Sequence, residues 1–246
     1  MIIRGYRKLT ARFHRLASGD VFLGRIPPGP LQAAMLIDLD HRGVRCIPSS
    51  LCQLLNNSKA AQALILSTWM LPLTQAVRRR ADLIDAVATY SENNVGPVVT
   101  KQDRLHCGHG VRRWNHVEDV YSALAFDDGT YPFVLQPLIC DYTDLRIIVV
   151  GDYLESYRRD HPGCLRKNLS AGGRSEPFEI DSQTVAFCRT IMDRADFPFA
   201  HIDLHLPEDG GCYLSEIALN GGIKGARIDR PQLDQRKQAI LEALAG

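Results

Sequence analysis

Two apolar runs, Leu145–Val150 and Leu154–Tyr157, stand on either side of Gly151-Asp152. Aliphatic and β-branched residues flanking a short turn that opens on glycine are the local signature of an antiparallel hairpin. Further strand-like runs precede it at Pro97–Lys101, Gly110–Trp114 and Phe133–Leu138, with turn signals at Gly108, Gly110 and Asp127-Asp128-Gly129. Helical spacing of apolar residues marks Leu31–His41, Lys59–Leu66, Ala81–Tyr90, Val117–Ala125 and Thr184–Ala195. Ser49 or Ser50 is placed to cap a further helix carrying Leu51, Leu54 and Leu55. Val21–Ile26 and Val44–Ile47 predict short early strands, and Pro27-Pro28-Gly29-Pro30 a rigid turn between them. The first eighteen residues read only as a short basic segment. The chain is therefore expected to be α+β or α/β, with a largely antiparallel second half and a boundary near Asn56.

Composition excludes several functions. Twenty-nine basic against 28 acidic side chains leave a formal charge of +1 over 246 residues, which gives no general case for nucleic acid or membrane as a partner. No apolar run is long enough to span a bilayer, and Met1–Arg15 lacks the apolar stretch of a secretory signal. The seven cysteines are scattered without a CxxC pair, which fits a reduced compartment; a cytoplasmic location is expected.

The chemistry concentrates in the last third. His201-Ile-Asp203-Leu and Tyr213-Leu-Ser-Glu216-Ile-Ala-Leu-Asn220-Gly221-Gly222 are apolar runs that deliver Asp203, Glu216 and Asn220. These are hard oxygen donors of the kind Mg²⁺ prefers, and Mg²⁺ commonly arrives on phosphates. Lys101 ends a strand-like run ahead of Gly108 and Gly110, so its cation and the glycine backbone can approach one anion; an ordinary solvated lysine before a turn reads the same way. Alternation puts Asp144 and Arg146 on one side of a strand with Leu145 in the core. That pair is either a plain salt bridge or a fork for an anionic substrate. Arg158-Arg159 and Arg166-Lys167-Asn168 add a basic patch, with Glu155 and Asp160 assigned to surface pairing. No Walker A, GxGxxG or GxSxG sequence occurs.

Taken in order, Pro97-Val-Val-Thr-Lys101, the Gly108–Val111 loop, Val134-Leu-Gln-Pro-Leu-Ile139, Asp144-Leu-Arg146, Arg166-Lys-Asn168 with Ala171-Gly-Gly173, Asp203, and Glu216 through Gly222 resemble the ATP-grasp superfamily, closest to its RimK-like and glutathione-synthetase-like ligases. The resemblance runs over roughly residues 56 to 230. It implies two α+β lobes (residues 56–246) preceded by a short, truncated α/β pre-grasp unit (residues 1–55), with ATP and Mg²⁺ between the lobes. In that frame Lys101, with Lys59 as an adjunct, meets the nucleotide phosphates near Gly108, Gly110 and Asp144. Gln136, Pro137, Leu138 and Ile139 form the hinge strand that meets adenine. Asp203, Glu216 and Asn220 hold the metal, and Arg146, Arg166 and Asn168 steady the transferred phosphoryl group.

The implied reaction joins a small-molecule or peptide carboxylate to an amine (or thiol) through an acylphosphate. An ATP-grasp kinase and a nucleotide-binding regulator without turnover are the alternatives. Three departures stand out. Pro137 follows Gln136 where the family usually has an acidic residue. Ala218 occupies the asparagine place of the usual Glu-x-Asn, leaving Asn220 as the substitute. The front unit is short, so a homo-oligomer or partner subunit is expected to complete the substrate pocket, unless it stands open.

Overall fold

The computed structural model describes residues 1–105, 108–161, 172–208 and 210–246. Three sheets organise the chain. At the front, β1 (Ile2–Arg4), β2 (Val21–Leu23) and β3 (Arg45–Ile47) run parallel in that order. Parallel neighbours need crossovers, supplied by α1 (Tyr6–Arg12) and α2 (Gln32–His41). Ile3, Leu9, Phe22, Leu36 and Leu39 bury themselves between these layers.

The second sheet contains β4 (Gln75–Val77), β5 (Val98–Gln102), β6 (Val111–Trp114) and β7 (Phe133–Pro137), antiparallel in the order β4-β7-β5-β6. Helices α5 (Arg80–Glu92) and α6 (Val117–Leu124) share a core with it, through Leu83, Ala86, Tyr90, Val120, Phe133 and Leu135. The third and largest sheet is antiparallel throughout: β8 (Tyr142–Val150), β9 (Tyr153–Asp160), β10 (Arg174–Pro177), β11 (Phe199–Pro207) and β12 (Tyr213–Ala218), ordered β10-β9-β8-β11-β12.

Helices α3 (Ser50–Asn56), α4 (Lys59–Ile65) and α7 (Ser182–Ala195) cover this sheet, burying Ile147, Val149, Ile202, Leu204 and Ile217. The caps are those the residues dictate. Ser49 accepts from Cys52 N at 3.2 Å and Asp181 from Thr184 N at 2.7 Å, each satisfying an orphan donor of the first turn. No helix among the described residues is long and apolar enough to cross a membrane.

The α+β architecture agrees with the expectation, and most elements fall within a few residues of their predicted bounds. Five elements differ. The basic first segment contains β1 and α1. Short β4 and β10 were not anticipated, since neither carries an apolar stripe. The last is α8 (Arg230–Ala245), capped by Asp229 with Pro231 inside its first turn. It buries only Leu233, Lys237 and Ala245 fully, so its sequence lacks a helical apolar pattern. This helix nevertheless packs Ala245 and Leu241 against Val21, Leu23 and Ile47, on a second face of the front sheet.

Candidate active site

The third sheet builds the site by register. Arg146 on β8 faces Tyr157 on β9 and Asp203 on β11, and Asp203 faces Glu216 on β12. Four chemistry-bearing side chains from four strands therefore stand on one rung. Arg146 holds Asp203 through both carboxylate oxygens, one bond of 2.9 Å from Nη2 and a second, short one from Nε. Arg159 reaches the same Asp203 at 3.2 Å and Asp144 at 2.5 Å. Burial alone would raise the Asp203 pKa, but the guanidiniums of Arg146 and Arg159 overcome it and hold the carboxyl well below the usual range.

A bulge between Asp203 and Leu204 shifts the register to β12, so Ser215 has no strand partner there. Its hydroxyl meets Lys101 Nζ at 3.2 Å. Lys101 arrives from the end of β5 and Lys59 from the start of α4, where its ammonium lies 3.4 Å from Glu216. Burial pushes the Lys101 pKa down to about 8, with Glu216 acting to raise it and Lys59 to lower it.

Two tethers place α4. Asp103, just past β5, accepts from Ser58 Oγ and from Ala60 N at 3.0 Å, at the positive end of the helix. Gln62, 1% exposed, donates to Leu55 O and Ile217 O and accepts from Ile217 N.

On the other side of the rung, His201 faces Ala218 across β11 and β12. Lys237 from α8 donates to Leu219 O at 2.7 Å and Asn220 Oδ1 at 3.0 Å, and lies 3.1 Å from His201 Nε2. Arg146 Nη1 and the Tyr157 hydroxyl both donate to Gly222 O, at 3.3 and 3.4 Å. Gly221 packs so tightly that an added Cβ would stand 2.5 Å from Arg146 Nη1. Between these groups and the front sheet lies a cavity of about 1020 Å³, lined among others by Arg25, Pro27, Arg146, Asp203, Glu216 and Arg230.

Half-buried lysines, a row of paired carboxylates and arginines, and a large cavity between sheets are groups suited to an anionic ligand. A family model, the RimK-like ATP-grasp domain, matches residues 54–240. The chain belongs to this family. No curated protein is similar enough in sequence to count as a match. Among solved structures, the ADP complex of the N5-carboxyaminoimidazole ribonucleotide synthetase PurK superposes with a TM-score of 0.66 at 15% identity, over 97% of this chain. The chain spans 64% of PurK's length. The D-cycloserine synthetase DcsG gives 0.63 at 18% identity, over 91% of this chain and 84% of its own. A RimK-domain ATP-grasp protein from Sphaerobacter thermophilus gives 0.55 at 18%, over 92% and 80%. At such identities the likeness is one of fold, the ATP-grasp fold.

Within that fold the structure gathers some of the expected residues and separates others. Arg146, Asp203, Glu216, Asn220 and Gly108 line the cavity, and Lys59 and Lys101 reach its Glu216 edge. Gly108 and Gly110 both have positive φ, and a Cβ at 110 would collide with Gln102 at 2.7 Å, so the turn demands glycine there. Gln136 is buried opposite Val99, and Leu138 N bonds Pro97 O at 2.9 Å; with Pro137 and Ile139 this strand end lies outside the cavity lining. Arg166, Asn168 and Ala171 lie outside the described residues.

Of the two readings of Asp144 and Arg146, the salt bridge between them does not form. Residues two apart on a strand share a face but stand farther apart than cross-strand partners. Asp144 accordingly binds Arg159, buried beneath the site, and Arg146 binds Asp203. Glu155 is also no surface acid. It is 3% exposed and accepts from Arg227 N at 2.6 Å and Ile228 N at 3.3 Å, anchoring the loop after β12.

The oxygen donors fit a hard cation in part. Asp203 and Glu216 oppose each other and open on the cavity, as suits an ion held by one or two carboxylates plus phosphates. The Asn220 oxygen is instead committed to Lys237. Among the described residues no three His, Cys, Asp or Glu side chains converge on one point.

Proposed function

We propose that this protein is an ATP-dependent ligase that joins a carboxylate to an amine (or thiol), releasing ADP and phosphate. The observation that carries the reading is the Tyr157–Arg146–Asp203–Glu216 rung, flanked by the half-buried ammonium of Lys101 and facing the cavity. Lys101 and Lys59 would receive the nucleotide phosphates, and the Gln136–Ile139 strand end the adenine. Asp203 and Glu216 would hold Mg²⁺, which when bound neutralises phosphate charge and polarises the γ-phosphoryl group. Asn220 would serve as a third donor only by loosening from Lys237.

A substrate carboxylate oxygen attacks the γ-phosphorus, and the bond to the β,γ-bridging oxygen breaks to release ADP. The amine nitrogen then attacks the acyl carbon, loses a proton, and expels phosphate. Arg146 stands where both charged species form; its planar fork matches a phosphoryl group as well as it matches Asp203. Arg166 and Asn168 are proposed beside it from the family pattern alone. Residues 1–55 act in this reading as the shortened pre-grasp unit, whose Arg25–Pro28 loop supplies a wall of the substrate cavity. A cytoplasmic location accords with ATP use.

The test is incubation with ATP, Mg²⁺ and a pool of carboxylates and amines, read by mass. ADP, phosphate and a ligated product in equal amounts support the reading. A stable phosphorylated acceptor without ligation makes the protein a kinase, and nucleotide binding without ADP makes it a regulator.

A further inference from the structure

The ligase reading leaves one wall of the cavity unassigned. On the far side of Arg146 from Lys101, the lining includes Arg25, from the loop after β2, and Arg230, the first residue of α8. Arg25 is exposed, and its side chain makes no hydrogen bond or ion pair among the described residues. Arg230 gives one N–H to Gly221 O at 2.9 Å and has no carboxylate partner there. Both guanidiniums lie near enough to Lys237 to add to the effect of its burial, which pushes that pKa down to about 8.

The ammonium of Lys237 meets three acceptors, Leu219 O, Asn220 Oδ1 and His201 Nε2. An ammonium has only donors, so Nε2 accepts and the imidazole proton sits on Nδ1. His201 is 2% exposed and stands behind the cavity wall, its Nδ1 covered by Gly221 and without a partner among the described residues. Gly221 fits this corner because it lacks a side chain: a Cβ there would stand 2.9 Å from Nδ1. The two acids that line the same cavity pair with other cations, Asp203 with Arg146 and Arg159 and Glu216 with Lys59, and not with Arg25 or Arg230. The wall thus offers two guanidiniums with no carboxylate paired to them among the described residues.

We propose that Arg25 and Arg230 form a subsite for a second anionic group of the substrate, a carboxylate or phosphate separate from the carboxylate that reacts. The proposal rests on the ligase reading for the identity of the cavity as a substrate site. An acid bearing that second charge is then selected over a monoacid, since guanidinium forks bind both oxyanions well.

Calorimetry on the full chain tests it, first with Mg-AMPPNP and then, with the nucleotide kept present, with matched pairs: glutarate against butyrate, and glycerol 3-phosphate against glycerol. The more charged member of at least one pair should bind about tenfold tighter or better, and the pair that shows it separates carboxylate from phosphate. Arg25→Gln and Arg230→Gln should each remove most of that preference while nucleotide affinity stays within about twofold. Arg25 is exposed, so its variant keeps the test open if Arg230→Gln misfolds. Equal binding within both pairs, no measurable binding of either anion, or a preference that survives Arg25→Gln overturns the subsite. Failure of AMPPNP to bind overturns the ATP reading instead, and the anion titrations then judge the subsite on the unliganded protein.

Discussion

In the proposed nucleotide site, Lys101 is the group whose charge binding would need and whose surroundings oppose. Burial lowers its pKa from 10.5 to about 8. At pH 8.5 about a quarter of the unliganded molecules then carry the ammonium. Phosphate oxygens seated on it favour the charged form and return the pKa toward its ordinary value, so about 0.7 proton is taken up per nucleotide bound at that pH. At pH 7 the ammonium is already about nine-tenths formed, and uptake at this group falls to about 0.1. Titrating Mg-AMPPNP by calorimetry in buffers of different ionisation enthalpy gives the proton count directly.

Lys101→Met should abolish the uptake at pH 8.5 and weaken binding by about 1.5–3 kcal/mol, the range for a hydrogen bond to a charged group. Stability carries the complementary sign. The folded pKa lies below the unfolded one, so the unfolded chain binds more protons between about pH 8 and 10.5, and unliganded stability gains from this group as pH rises through that window. Absence of proton uptake in the wild type, or the same uptake in Lys101→Met, refutes the reasoning.

Other perturbations follow from the same geometry. Arg146→Lys keeps the charge but loses the two-pronged hold on Asp203, so kcat for ADP release should fall far more than KM rises; an unchanged kcat removes Arg146 from the reaction. Arg146→Met should in addition cost about 2 kcal/mol of stability, or roughly 4–8 °C in Tm by calorimetry, because Arg159 still compensates Asp203 in part. Asp203→Asn with Glu216→Gln should weaken Mn²⁺ binding, followed by electron paramagnetic resonance in the presence of AMPPNP, by about tenfold or more; an unaltered Mn²⁺ spectrum places the metal elsewhere. Gln62→Leu strands Leu55 O and the Ile217 backbone, so about 3 kcal/mol or more of stability should be lost in urea unfolding. A change below about 0.5 kcal/mol would mean those groups find other partners.

The fold was legible wherever local pattern and tertiary role coincide. Ile147 and Val149 are apolar and go inward, and Ser49 stands where a helix needs an acceptor. Helix α8 fails that condition: Lys237 is buried among polar partners, while Leu244 is 46% exposed, so periodicity points nowhere. Its start was nonetheless written in Asp229 and Pro231, since a capping carboxylate followed by proline in the first turn is a helix signal that owes nothing to burial. Strand β1 is three residues long, and a parallel partner far along the chain fixes it, so no local rule finds it.

The site divides along the same line, and the hairpin shows where. Gly151-Asp152 joins β8 to β9 with Val150 opposite Tyr153, and residues across such a turn pair symmetrically. Symmetry about that turn already sets Tyr157 against Arg146 and Arg159 against Asp144. The true partner of Asp144 was therefore deducible from the turn, and pairing it with Arg146 ignored register in favour of sequence proximity. The Arg146–Asp203 contact is different in kind. It joins strands 57 residues apart through α7, with no turn to count from, and the bulge at Asp203 then resets the alignment with β12. Alternation says that Arg146, Asp203 and Glu216 each face one side of a strand; only the packed sheet says it is the same side and the same rung. The proposed chemistry depends on that coincidence, because Arg146 could exchange Asp203 for a phosphoryl group only if it stands directly across from it, as the register has it.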